Sequence, residues 1–150
     1  MANDRLAHNT KIFQSSVAVA AGSADSNGSS VNMAGFQGVT FIASLGTLTA
    51  GAVTALKAQQ SSDDGSTDGW SDIEGSAVDV ADSEDNTLVY LDIVRPTKQY
   101  VRPVVERATA NAVINAVIAL QYGADVQPVT HDATTVPNGT VIDDPAEGTA

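Results

Sequence analysis

Between residues 86 and 123 the chain carries three apolar, β-branched runs separated by two short polar breaks. The runs are Leu88-Val89-Tyr90-Leu91-Asp92-Ile93-Val94, then Tyr100-Val101-Arg102-Pro103-Val104-Val105, then an alanine-rich run from Ala112 to Leu120. The breaks are Arg95-Pro96-Thr97-Lys98 and Thr109-Ala110-Asn111. Val and Ile lose side-chain freedom in a helix and pack well on a pleated surface. Runs of this kind with turn residues between them read as successive antiparallel strands, a meander at the centre of one β domain. Alanine makes a helix the competing reading of the third run. Its Val113, Ile114, Val117 and Ile118 favour a strand, with Ile114, Ala116, Ile118, Leu120 and Tyr122 on one face.

The rest of the chain is arranged around that stretch. Residues 1–16 are polar and lack a strong period, which reads as an N-terminal arm ordered against a partner. Residues 17–127 form the folded domain. Val39, Phe41, Ala43 and Leu45 alternate with Thr40, Ile42 and Ser44, the pattern of a half-buried strand. Another strand follows at residues 53–60, with Leu56 and Ala58 on one face and Lys57 and Gln59 on the other. Residues 63–92 hold ten acids and no base, and read as a surface excursion with a short strand near Val78. Trp70, the one tryptophan, is expected to cover an edge of the core. Residues 128–150 have no period and three prolines, and read as a C-terminal tail, disordered or laid over a neighbour. At 150 residues with 5% aromatics, the core must be built from Val, Ile, Leu and Ala. The fold class expected is all-β, a single antiparallel β-sandwich of jelly-roll-like form with extended N- and C-terminal arms.

Charge and residue usage narrow the function. The net charge of −11 repels nucleic acid backbones and anionic lipid, so neither is expected as a partner. There are no cysteines, hence no disulfides or thiolate metal sites. The N-terminal residues show no basic segment followed by an apolar one, so synthesis in a cytoplasm is expected. Asp64, Ser66, Asp68 and Gly69 fit the opening of a calcium loop, but the position requiring a bidentate Glu is Gly75. Asp63, Asp64 and Asp68 are therefore only a weak Ca²⁺ candidate, and no cofactor is expected. His8 and His131 stand far apart in the arms, and no serine sits in a G-x-S-x-G elbow. The acid pair Asp143 and Asp144 lies in the tail. An enzyme is not expected.

Four of the seven basic residues fall between 95 and 107. Arg95, Lys98, Arg102 and Arg107, together with Arg5 and Lys11, are the candidate contact residues for an acidic neighbour. Arg102 points off one face of its strand and Arg107 off the opposite one.

Three segments together carry a resemblance. They are Val31-Asn32-Met33-Ala34-Gly35-Phe36-Gln37-Gly38-Val39, then Leu56-Lys57-Ala58-Gln59-Gln60-Ser61-Ser62-Asp63-Asp64-Gly65-Ser66-Thr67, then Lys98-Gln99-Tyr100-Val101-Arg102-Pro103-Val104-Val105. Their order and spacing resemble small tailed-bacteriophage head decoration, or capsid cement, proteins, which are encoded beside the major capsid protein. Gln99 stands where that family has a base, and Gln60 adds a residue before the Ser-Asp-Asp turn. The resemblance spans residues 17–127. It implies a virion location on the capsid surface, with the major capsid protein as partner, self-association as a homotrimer and no catalytic residues. A tail or head–tail component acting as a binding module for host-surface carbohydrate is the alternative. Exposed loop aromatics would favour it, and Trp70 and Phe36 are the candidates.

Overall fold

A computed structural model describes residues 5–143 and 145–149. The first four residues of the expected arm, and Asp144 and Ala150 of the tail, lie outside the described residues. A single helical turn, α1 (Leu6–Asn9), leads into eleven strands among the described residues. They are β1 (Lys11–Ser16), β2 (Val19–Gly22), β3 (Ser26–Asn27), β4 (Val31–Asn32), β5 (Gly38–Leu48) and β6 (Val53–Ser61). They continue with β7 (Ser71–Asp72), β8 (Val78–Val80), β9 (Leu88–Val94), β10 (Tyr100–Ala108) and β11 (Ala112–Tyr122). Sheet A has the order β1-β11-β5-β9, with β2 also on β11. Sheet B has the order β3-β10-β6-β7, with β4 also on β10 and β8 also on β6. The pairings are antiparallel. The two packed antiparallel sheets are the all-β sandwich expected from the sequence; with short neighbouring strands taken together, the strand order is that of an eight-strand jelly roll.

The central stretch is three strands, as expected, but not a meander. β9 and β11 lie in sheet A, whereas β10 lies between them in sequence and belongs to sheet B. Each polar break therefore crosses from one sheet to the other rather than closing a hairpin. Arg95 and Thr109 both take positive φ, at 50° and 69°, and turn the chain out of its sheet.

The core lies between the sheets. Val39, Phe41, Ala43 and Leu45 of β5 are buried against Leu56 and Ala58 of β6 and Val101 and Val105 of β10. Truncating Phe41 to Ala would cost about 3–5 kcal/mol from lost transfer energy and the cavity left behind. The third run is a strand, but its expected face needs correction. Ala112 and Ile114 point inward, and so do Val117, Ala119 and Gln121. The phase changes because the β11–β5 register shifts between Ile114 and Ala116. An extra residue in one strand flips every side chain after it. Asn115 sits at this bulge and donates from Nδ2 to the Leu45 carbonyl at 3.2 Å. Ala116, Ile118, Leu120 and Tyr122 therefore share the outer face, and Ile114 does not join them.

The arm also needs correction. Residues 11–16 are strand β1, paired with residues 117–121 of β11, so the folded domain starts before residue 17. Its successive residues are partly buried on both faces, so the strand has no apolar period. The tail lies over this chain's own β1. His131 Nδ1 accepts the Ile12 N–H at 3.0 Å, and Thr135 Oγ1 accepts the Gln14 N–H at 3.2 Å. These side chains cover the outer edge of β1, an edge that would otherwise offer unpaired backbone groups.

Candidate functional site

The inward faces of the two sheets are alike; their outward faces differ in kind. On sheet B the polar side chains satisfy one another in a chain. Arg102 lies over the Trp70 ring, 4.5 Å from its centroid. The same guanidinium donates to Gln59 Oε1 from Nε at 2.9 Å and from Nη2 at 2.6 Å. Gln59 donates to Asp72 at 2.7 Å. Asp72 also takes Lys57 Nζ at 3.0 Å, and Lys57 reaches Glu106 at 2.7 Å. Glu106 and then Asp72 hold the Lys57 ammonium above its ordinary pKa. Gln59 and then Lys57 hold the Asp72 carboxyl below its ordinary one. Trp70 thus covers the sheet B network rather than the core, and Gly65 leaves room for its indole.

On sheet A the outward residues form rows across the strands. Cross-strand pairing aligns Tyr90 of β9 with Ile42 of β5, and Ile42 with Ile118 of β11. The next row is Asp92, Thr40, Leu120 and Ile12. Leu88 and Val94 flank these rows on β9. Leu88 is 69% exposed, Tyr90 70% and Val94 57%. One charge stands in this face, on Asp92, and it is held from within. The Tyr122 hydroxyl donates to Asp92 Oδ1 at 2.7 Å, and Thr40 donates to the same oxygen at 3.2 Å. Tyr122 reaches β9 by lying across Gly38, where any Cβ would strike its ring. Burial, then the bond to Asp92, pushes the Tyr122 phenol up to about 12. Tyr90, Ile42, Ile118 and Leu120 thus form an apolar centre, bordered by Ser44, Thr40, Asp92 and Gln14.

The sequence-derived cations are dispersed rather than joined in one patch. Arg5 pairs with Asp143. Lys11 opens β1 and lowers the Asp132 carboxyl together with the stronger effect of Thr135. Lys98 pairs with Asp68 at 2.7 Å. Arg102 belongs to the sheet B network. Arg95 is exposed in the β9–β10 turn. Arg107 does point opposite to Arg102, but inward, and is 7% exposed. Its guanidinium donates to the carbonyls of Ala24 at 2.7 Å, Ala20 at 3.0 Å and Ala112 at 2.9 Å. It therefore stitches β10 to sheet A and is not available to a partner.

In the 61–69 loop the acids serve the loop itself. Asp63 accepts the N–H groups of Ser66, Thr67 and Asp68, at 3.1, 2.7 and 3.1 Å. Desolvation works against ionisation there, but these donors and Ser61 outweigh it and keep the carboxyl low. Asp68 takes Lys98 and Ser62, and Lys98 foremost holds it down to about 2. Asp64 accepts the Ser30 hydroxyl. Among the described residues no cluster of three or more His, Asp or Glu is placed to hold a metal ion. The two histidines, far apart in sequence, line one cleft of about 660 Å³ between α1, β1 and the tail. His131 bridges the Ile12 N–H and the Ala7 carbonyl, which fixes the tail.

The apolar outer face has one signal in the sequence. β9 is apolar at both parities, Leu88 and Tyr90 as well as Val89 and Leu91, which is the pattern of a strand covered on both faces.

No family model and no curated protein matches this chain. Among solved structures it is similar to the crystal structure of SPBc2 prophage-derived protein YomS, with 13% identity and a TM-score of 0.46. The match covers 76% of this chain and 93% of that one. The neighbour is a phage-derived protein, and at this distance the likeness transfers no role.

Proposed function

We propose that this chain is a virion structural protein, a head decoration protein that docks on the assembled capsid through the outer face of sheet A. The observation that carries the reading is the contrast between the two outer faces. Sheet B is closed by its own hydrogen bonds, whereas sheet A offers Leu88, Tyr90 and Ile118 exposed, with Ile42 half-buried between them. Burying such a face on a partner is worth about 25 cal/mol per Å² before the costs of association. Many copies on a symmetric shell add avidity without a deep site. The resemblance in the three sequence segments supplies the partner class, the major capsid protein. The reading asks no catalysis of any side chain and involves no nucleic acid or membrane.

The test is copy number in purified particles of the phage that encodes the chain, measured by quantitative mass spectrometry. A ratio to coat protein near one is expected. Absence from the particle overturns the reading. A few copies per particle would support the second reading, a tail or head–tail module binding host carbohydrate. Exposed Tyr90 favours that reading, and a glycan array decides it.

A further inference from the structure

We infer that β9 pairs antiparallel with β9 of a second copy of this chain, about a two-fold axis at Leu91, joining two copies of sheet A into one continuous sheet. This goes beyond the virion reading and does not rest on it. The first support is the backbone. The Leu45 N–H bonds to the Thr87 carbonyl at 3.0 Å, and the Arg95 N–H to the Gln37 carbonyl at 2.7 Å. Both pairs fall in the β5–β9 register, so the odd-numbered residues of β9 bond to β5. Bonded and non-bonded pairs alternate in an antiparallel ladder. Leu88, Tyr90, Asp92 and Val94 therefore aim their N–H and C=O groups away from β5. No group among the described residues takes them.

This edge is thinly protected. β9 carries one charge, Asp92, has no Lys or Pro, and pairs with β5 without a bulge. Charges, prolines and bulges are the devices that keep an exposed edge strand solitary. The opposite edge of the same sheet, β1, is covered by His131 and Thr135. The rim of the core shows the same opening. Val89, Leu91 and Ile93 are each 9% exposed, whereas Val39, Phe41 and Ala43 beside them on β5 are at 0%.

The strand is complementary to itself in this orientation. A two-fold at Leu91 sets Leu88 opposite Val94 of the second copy, and Tyr90 opposite Asp92 of the second copy. It also brings Arg95 opposite Thr87 of the second copy, next to that copy's Glu84 and Asp85. The Arg95 guanidinium makes no hydrogen bond or ion pair with the described residues. An axis at Asp92 would instead oppose two carboxylates, which destabilises a cross-strand pair. Isologous pairing of one patch with itself closes as a dimer.

The test is sedimentation velocity of the full chain up to sub-millimolar concentration, with two variants. A dimer is expected. Tyr90→Pro removes an N–H that points away from β5, a position where an edge strand tolerates proline, and should give a monomer with unchanged circular dichroism. Arg95→Glu sits in a turn clear of the core. It should weaken the dimer about tenfold, and Glu84→Lys with Asp85→Lys should restore it. A monomer at every concentration overturns the inference. So does a trimer, and so does a dimer indifferent to Arg95→Glu, which also decides the case if Tyr90→Pro fails to fold. A monomer that still coats particles would refute this pairing and leave the virion reading standing. A dimer absent from particles would do the reverse.

Discussion

The two outer faces are built on central strand pairs of similar length with the same alternation, yet they meet solvent in opposite ways. On sheet B a run of polar contacts passes from Trp70 through Arg102, Gln59, Asp72 and Lys57 to Glu106. On sheet A the one acid among the described residues of that face, Asp92, is occupied by Tyr122 and Thr40, and Tyr90 and Val94 flank it along β9. Folding requires only that the inward residues match across the core. The outward residues are free to record what covers them. On sheet B they satisfy one another; on sheet A Leu88, Tyr90 and Val94 stand exposed.

This comparison can be broken at several points. Arg107→Met should have the largest effect, because three carbonyls lose their donor inside the protein. A loss of about 3 kcal/mol is expected in chemical denaturation, and it should weaken the fold beneath both faces alike. Ile42→Glu should leave the fold in place and reduce attachment to particles about a hundredfold, or about 2.7 kcal/mol, as for a central contact residue. Lys57→Ala on the other face should leave attachment within about twofold, since pairs of this exposure contribute little. Equal losses from Ile42→Glu and Lys57→Ala would erase the distinction between the faces. Trp70→Ala should cost about 1 kcal/mol through its contact with Arg102, with attachment unchanged.

The smallest effects are in pH, at opposite ends of the scale. Asp68 has a folded pKa lowered to about 2, below its unfolded value of about 4. Its contribution is therefore present above about pH 4 and lost as pH falls through about 2. Trp70 fluorescence should report the 61–69 loop loosening in that window. Tyr122 has a folded pKa raised to about 12, above its unfolded value of about 10. Its contribution is present below about pH 10 and lost as pH rises through about 12, which ultraviolet absorbance of the phenolate should follow.

Much of the fold was legible. Alternation at Val39, Phe41, Ala43 and Leu45 named the inward face of β5, and β-branching decided the third run. The sheet assignment of β10 was not legible, because a short polar break looks the same whether it closes a hairpin or crosses between sheets. The bulge at Asn115 was not legible either, since it depends on a compensating shift in β5. β1 was read as an arm because both of its faces are partly covered, one by the tail. Of the candidate site, Arg102 and Arg107 were placed on opposite faces correctly. Which face was inside depended on the partner sheet, and that reversed the meaning of Arg107.

The most direct measurement is residue-resolved amide exchange by NMR at low and high protein concentration. The outward N–H groups of Leu88, Tyr90, Asp92 and Val94 should exchange fast when dilute and slow markedly when concentrated. Those of Val89, Leu91 and Ile93, already bonded to β5, should be slow throughout. Concentration-dependent protection on sheet B, with the even-numbered amides of β9 still fast, would contradict the account.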